Sequence, residues 1–150
     1  MKTAYRVNFP ELEIGDPITS SEHFYSHLNE EREEVEEVFE ERRPSSKPSR
    51  INAIFAFEDE STAKSWMAIK HGHHLYRISV DEDDILHIGD WKWLEIARNG
   101  NVKDCADKYW ASENSDNPLI EWIIREGINE AEIEISGLDR RRLLEERWNW

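Results

Sequence analysis

The chain has 150 residues, 38% hydrophobic and 35% charged, a length that suits one domain over residues 1–150 with a single core. Its 33 acidic and 19 basic side chains leave a net charge of −14, which argues against nucleic-acid binding through a basic stripe and leaves a basic partner, DNA mimicry or plain solubility as uses for an acidic surface. A lone cysteine, Cys105, cannot close an internal disulfide, and no apolar run approaches a signal region or membrane span, so a cytoplasmic protein with no membrane partner is expected.

In chain order, Ala4 to Asn8 reads as a short strand ended by Phe9-Pro10, and Leu12 to Ser21 as a loop around the turn signal Gly15-Asp16-Pro17. His23 to Arg43 has helical spacing, with Phe24, His27, Leu28, Val35, Val38 and Phe39 on one side. Its Glu-rich part, Glu30 to Arg43, reads as a solvated face in which Glu36 and Glu40 repel while Glu40 and Arg43 pair. Pro44 and Pro48 end that helix. Arg50 to Phe57 is β-rich and mostly apolar, as a central strand would be.

Glu58 to Ser61 caps a helix predicted to run to about His71, with Ala63, Trp66, Met67 and Lys70 on one face. Leu75 to Val80 alternates as a strand, Asp81 to Asp84 is an acidic turn, and Ile85 to Ile88 is a second short strand ended by Gly89-Asp90. Trp91, Trp93 and Leu94 begin an apolar patch, and Lys103 to Tyr109 reads as a short helix. Leu119 to Ile124 and Glu132 to Ser136 are the last predicted strands, and Leu138 to Trp148 a terminal helix with Leu143, Leu144 and Trp148 inward. Strands and helices mix without a regular βαβ alternation, which predicts an α+β domain with a mostly antiparallel or mixed sheet.

Few local motifs carry chemistry. His71-Gly72-His73-His74 is the only histidine cluster, and neighbouring side chains diverge too far for a ready metal site, so it reads as a solvent-facing loop. Cys105 has nothing local to activate it and reads as a core thiol. The six glycines form no phosphate loop.

Glu121 stands out. It is one carboxylate inside the apolar run Leu119-Ile120-Glu121-Trp122-Ile123-Ile124. A carboxylate is costly to desolvate unless paired, so Glu121 either points to solvent from a half-buried strand or faces a cleft that uses its charge. Arg6 lies in the first strand, and Ser49-Arg50 opens the segment containing Phe55. If these strands meet at one cleft, they supply guanidinium for a diphosphate, a hydroxyl, aromatic surface and one carboxylate. That set suits N-glycosidic cleavage of NAD, in which an anion stabilises the developing ribosyl cation.

Tyr5-Arg6-Val7, then Ala53 to Phe57 followed by Asp59, Ala63 and Trp66, then Leu75-Tyr76-Arg77-Ile78, and finally Glu121 together resemble the ADP-ribosyltransferase superfamily, in particular its small bacterial and phage members. The resemblance spans most of residues 4–136. It implies a split β-sheet of ADP-ribosyltransferase type with flanking helices and a central NAD cleft. Glu121 and Arg6 are then catalytic, and Arg6, Ser49, Arg50 and Phe55 contact NAD. Phe55 stacks in the nicotinamide pocket, and the loop from Ala111 to Asn117 reads an unidentified protein, nucleic-acid or small-molecule acceptor. The chain departs from the superfamily in three places. It has no Ser-Thr-Ser at the second strand, it carries Phe55 where other members place Tyr, and it has Leu119 rather than Glu or Gln two residues before Glu121. Modification of arginine is therefore not expected. The alternative is a non-enzymatic acidic interaction protein, an inhibitor or DNA mimic, binding a basic partner through the Glu30–Arg43 helix.

Overall fold

Burial alternates from Ala4 to Asn8, with Ala4, Arg6 and Asn8 on the buried side, and the segment Lys2–Asn8 is the first strand, β1. The computed structural model describes residues 1–8, 11–19, 30–69 and 73–146. Six further strands follow: β2 (Pro17–Ile18), β3 (Ile54–Phe57), β4 (His74–Val80), β5 (Ile85–Asp90), β6 (Ile120–Ile124) and β7 (Gly127–Ile133). They form one sheet in the order β2-β7-β4-β1-β3-β6-β5, with each neighbouring pair antiparallel. The helices are α1 (Glu30–Glu41), α2 (Glu60–Ile69), α3 (Lys92–Ala97), α4 (Val102–Trp110) and α5 (Gly137–Glu146). The chain is thus a single small α+β domain, and no described helix is long and apolar enough to cross a membrane.

The sheet is weakest at its centre. β1 and β3 share a single register pair, Tyr5↔Phe57, whereas β1 pairs with β4 from Lys2↔Val80 through Asn8↔His74. Beyond Tyr5 the two strands part, and the Arg6 guanidinium enters the gap and donates to the Phe55 carbonyl at 2.8 Å. A side chain thus satisfies a carbonyl that a paired strand would otherwise have satisfied.

One face of the sheet carries Ala4, Ile54, Ala56, Tyr76, Ile78, Trp122 and Ile124, where the two small alanines leave room for the two large rings. On the other face, α1, α3 and α4 pack with Phe39, Trp66, Trp91, Tyr109, Trp110 and Ile123 in the largest cluster. Helix α2 lies over β1 and β4 through Ala63, Met67 and Leu75. Asp59 caps it by accepting from the Thr62 backbone N–H at 3.2 Å, and Arg140 of α5 closes its other end by donating to the Met67 and Ala68 carbonyls.

Several elements differ from the sequence expectation for local reasons. The strand expected from Arg50 begins only at Ile54, because the Ala53 N–H closes a turn onto the Arg50 carbonyl and Asn52 is left-handed at φ 61°. Leu12 to Ser21 contains the two-residue edge strand β2. The apolar patch after Trp91 is the helix α3. The final strand runs over Gly127–Ile133 rather than 132–136. Its inward positions include Gly127 and Asn129, which give no apolar alternation to read. The predicted helical segment 23–29, the predicted continuation of the second helix to about His71, and Trp148 lie outside the described residues.

Candidate functional site

A cleft of about 250 Å3 opens where β1 and β3 part, between α1, α3 and α2. Its lining includes Arg6, Arg50, Phe55 and Glu121, four residues from three distant segments, together with Glu36, Phe57, Trp66 and Trp91. Register explains part of this convergence. Phe57 lies opposite both Tyr5 and Glu121, so one row of the sheet runs from β1 through β3 to the carboxylate.

Beneath the cleft four buried side chains interlock. The Arg50 guanidinium grips Glu36 with both its Nε (2.9 Å) and its Nη2 (3.1 Å). Its Nη1 donates to the Tyr109 hydroxyl at 2.6 Å and to Glu121 Oε1. The Tyr109 hydroxyl in turn donates to Glu121 Oε1 at 2.8 Å. All four are 5% exposed or less. Each comes from a different piece of chain: Glu36 from α1, Arg50 from the turn before β3, Tyr109 from α4 and Glu121 from β6. Among the described residues both hydrogen bonds to Glu121 fall on Oε1, and Glu121 is among the residues that line the cleft.

Burial holds the Glu121 carboxyl above the ordinary carboxylate range, although Arg50 and the Tyr109 hydroxyl pull the other way. Burial also opposes the Arg50 charge, but Glu121, Glu36 and Tyr109 more than offset it and keep the guanidinium charged. Burial pushes the Tyr109 hydroxyl well up, so it remains a donor. Under Tyr109, His87 packs its ring at 5.0 Å and faces the Tyr109 carbonyl through Nε2 at 3.2 Å. Burial brings His87 down to about 4, so it is neutral at pH 7.

The residues singled out from the sequence are placed as follows. Arg6 is buried in the split between β1 and β3, donating to Asn8 Oδ1 at 3.1 Å as well as to the Phe55 carbonyl. Phe55 is half-buried and lies under the Arg50 guanidinium at 4.7 Å. Arg50 directs its donors at Glu36, Tyr109 and Glu121, the geometry of a group that positions a carboxylate. Ser49 stands apart: its hydroxyl donates to Glu40 at 2.9 Å and accepts the Ile51 N–H, holding the turn to α1 outside the cleft lining. The loop before β6 is tied down by the fully buried Asp90. That carboxylate accepts from the backbone N–H groups of Lys92, Ser115 and Leu119 and so joins the loop to the start of α3.

Two members of the buried cluster were not singled out. Glu36 was read as part of a solvated face, yet it shares the inward stripe of Arg32, Val35 and Phe39 and is buried. A carboxylate on an apolar stripe is the same signal that marks Glu121. Tyr109, read as the end of a short helix, is core by burial and reaches the site by its hydroxyl. His73, read as part of a solvent-facing loop, is half-buried and lines the cleft, while His71 and Gly72 lie outside the described residues. Cys105 is a buried thiol whose pKa burial raises, as expected of a core cysteine. Among the described residues no group of three His, Cys, Asp or Glu is placed to hold a metal ion.

Fold and site together define an α+β protein whose antiparallel sheet parts over a buried arginine–carboxylate cluster facing an aromatic cleft. The chain belongs to the family described as "Protein of unknown function (DUF2441)", whose profile matches residues 5–135. No match was found among the curated proteins.

Proposed function

We propose that the protein is an ADP-ribosyltransferase-type domain that binds NAD in this cleft and transfers ADP-ribose to an acceptor. The observation that carries the proposal is the convergence of Arg6, Phe55 and Glu121 on the lining of one cleft. Phe55, Phe57, Trp66 and Trp91 give the cleft an aromatic lining that suits a cationic nicotinamide. Pockets for drug-sized ligands run to ~300–1,000 Å3, so a cleft of about 250 Å3 suits the nicotinamide-ribose half of NAD with the rest toward the mouth. The C1′–nitrogen bond breaks with its electron pair leaving on nicotinamide, the ribosyl cation develops beside Glu121, and the acceptor nucleophile attacks C1′ and loses a proton. A preorganised carboxylate held by Arg50 and Tyr109 needs no reorganisation as that charge appears. Arg6 lies where it can orient the ribose or diphosphate.

Purified protein incubated with labelled NAD and a cell lysate should release nicotinamide and label a macromolecule or small molecule. Glu121→Gln should lower this by at least ~100-fold, the cost of removing a preorganised transition-state charge, while melting cooperatively near the wild-type temperature. Wild-type protein that neither releases nicotinamide nor shifts its melting temperature with NAD would sink the proposal.

A second reading rests on α1. Its outer positions Glu31, Glu33, Glu34, Glu37 and Glu41 are exposed and form an acidic ridge. That ridge suits an interaction protein for a basic partner, with salt-sensitive binding.

A further inference from the structure

Arg6 and Arg50 are not the only cations of the cleft lining among the described residues. Arg32 on α1 and Arg98 just beyond α3 both line the cleft, from opposite helices. Glu95 lies between them and offers one oxygen to each: Oε1 to Arg32 at 3.4 Å and Oε2 to Arg98 at 3.3 Å. Glu31 meets Arg98 at 3.4 Å from the other side. These contacts exceed the ~2.7–2.9 Å of a tight charge-assisted hydrogen bond. The arginine side chains are 31% and 34% exposed, and pairs of that kind contribute little. An internal carboxylate thus already bridges two guanidinium forks in the manner of a shared phosphate.

We propose that Arg32 and Arg98 form a diphosphate subsite at the mouth of the cleft, which takes the diphosphate of a nucleotide by displacing Glu95 from between them. Arg32 precedes Glu36 by one helical turn, so the subsite sits about one turn, ~5–6 Å, from the residue that holds Arg50 beneath Glu121. The inference rests on the NAD reading only for the nucleoside that occupies the inner cleft. Two planar forks acting together favour a diphosphate over a single carboxylate because it offers more acceptor oxygens and more charge.

Calorimetric titration with ADP-ribose, inorganic pyrophosphate and nicotinamide tests it. The wild type should bind ADP-ribose more tightly than pyrophosphate. The double variant Arg32→Gln/Arg98→Gln should lose about 10- to 100-fold in affinity for both phosphate ligands, the range for lost hydrogen bonds to charged groups, with nicotinamide affinity unchanged. Glu95→Gln should do the opposite and tighten pyrophosphate binding by removing the negative charge that both forks share. ADP-ribose affinity that survives the double variant, or pyrophosphate affinity indifferent to Glu95, overturns the subsite. Pyrophosphate binding as tightly as ADP-ribose overturns the nucleotide as its occupant. Arginine-dependent binding without nicotinamide release would count against the transferase reading alone. Full turnover with unchanged ADP-ribose affinity in the double variant would count against the subsite alone.

Discussion

Among the described residues Arg50 is the only guanidinium between two carboxylates that are 5% and 3% exposed, and this makes it the residue on which the site depends. Removing one partner of a buried ion pair strands the other, at a cost of ~3–5 kcal/mol. Arg50→Ala strands Glu36 and Glu121 together, so urea unfolding should show a loss at the upper end of that range, a large share of the ~5–15 kcal/mol typical of a domain. Arg50→Lys keeps the charge without the two-pronged grip on Glu36 and should fall between. Equal stability of Arg50→Ala and wild type would mean that the cluster is solvated in solution. The two carboxylates were unequally legible in the sequence. Glu121 interrupts an apolar run and is conspicuous, whereas Glu36 is one of eight glutamates in fourteen residues, and only its shared stripe with Val35 and Phe39 betrays it. Ser49, expected beside Arg50 in the cleft, has its hydroxyl on Glu40 instead. Adjacency to Arg50 in sequence says nothing about side-chain direction, and a turn sends the two side chains to different partners.

Elements meet at Gly89 in a way that ties α4 to the sheet. Gly89 of β5 lies opposite Glu121 of β6, and a Cβ there would stand 2.5 Å from Tyr109 Cε2 and 2.8 Å from its Cζ. The missing side chain is what lets the Tyr109 ring lie against β5 and reach the carboxylate. Gly89→Ala should therefore push a buried, rigid ring off its hydrogen bond. Over-packing of this kind costs ~1–3 kcal/mol, and here it should be accompanied by changed near-ultraviolet dichroism from the displaced tyrosine. An alanine variant as stable as the wild type, with an unaltered spectrum, would contradict this account of the packing. Strand β4 was readable because its apolar alternation is strong, and α4 because its stripe of Cys105, Ala106, Tyr109 and Trp110 has helical spacing. Helix α3 was not, since a six-residue helix carries too little period to separate from a strand or patch. The parting of β1 from β3 was unreadable too, because it is set by a guanidinium bonding a distant carbonyl rather than by any local pattern.

Across the whole molecule, opposite demands fall on α1. Its inner stripe delivers Glu36 to the buried cluster, Val35 and Phe39 to the core and Arg32 to the cleft mouth, while its outer side carries glutamates spaced four apart at Glu33, Glu37 and Glu41. Like charges at that spacing destabilise a helix by a few tenths of a kcal/mol per pair, and in a chain of net charge −14 the rest of the surface adds to the repulsion. Glu37→Lys converts two repulsive pairs into attractive ones, with Glu33 in the favourable N-terminal position. It should stabilise the fold by ~0.5–1 kcal/mol at low salt, an effect that fades as added salt screens these exposed charges. The same substitution separates the two functional readings. If the cleft is the working part, Glu37→Lys raises the melting temperature and leaves nicotinamide release untouched, because Glu37 is exposed and is not part of the cleft lining. If the ridge grips a basic partner, the more stable variant binds it less well, and the loss is greatest at low salt, where the wild-type ridge attracts most strongly.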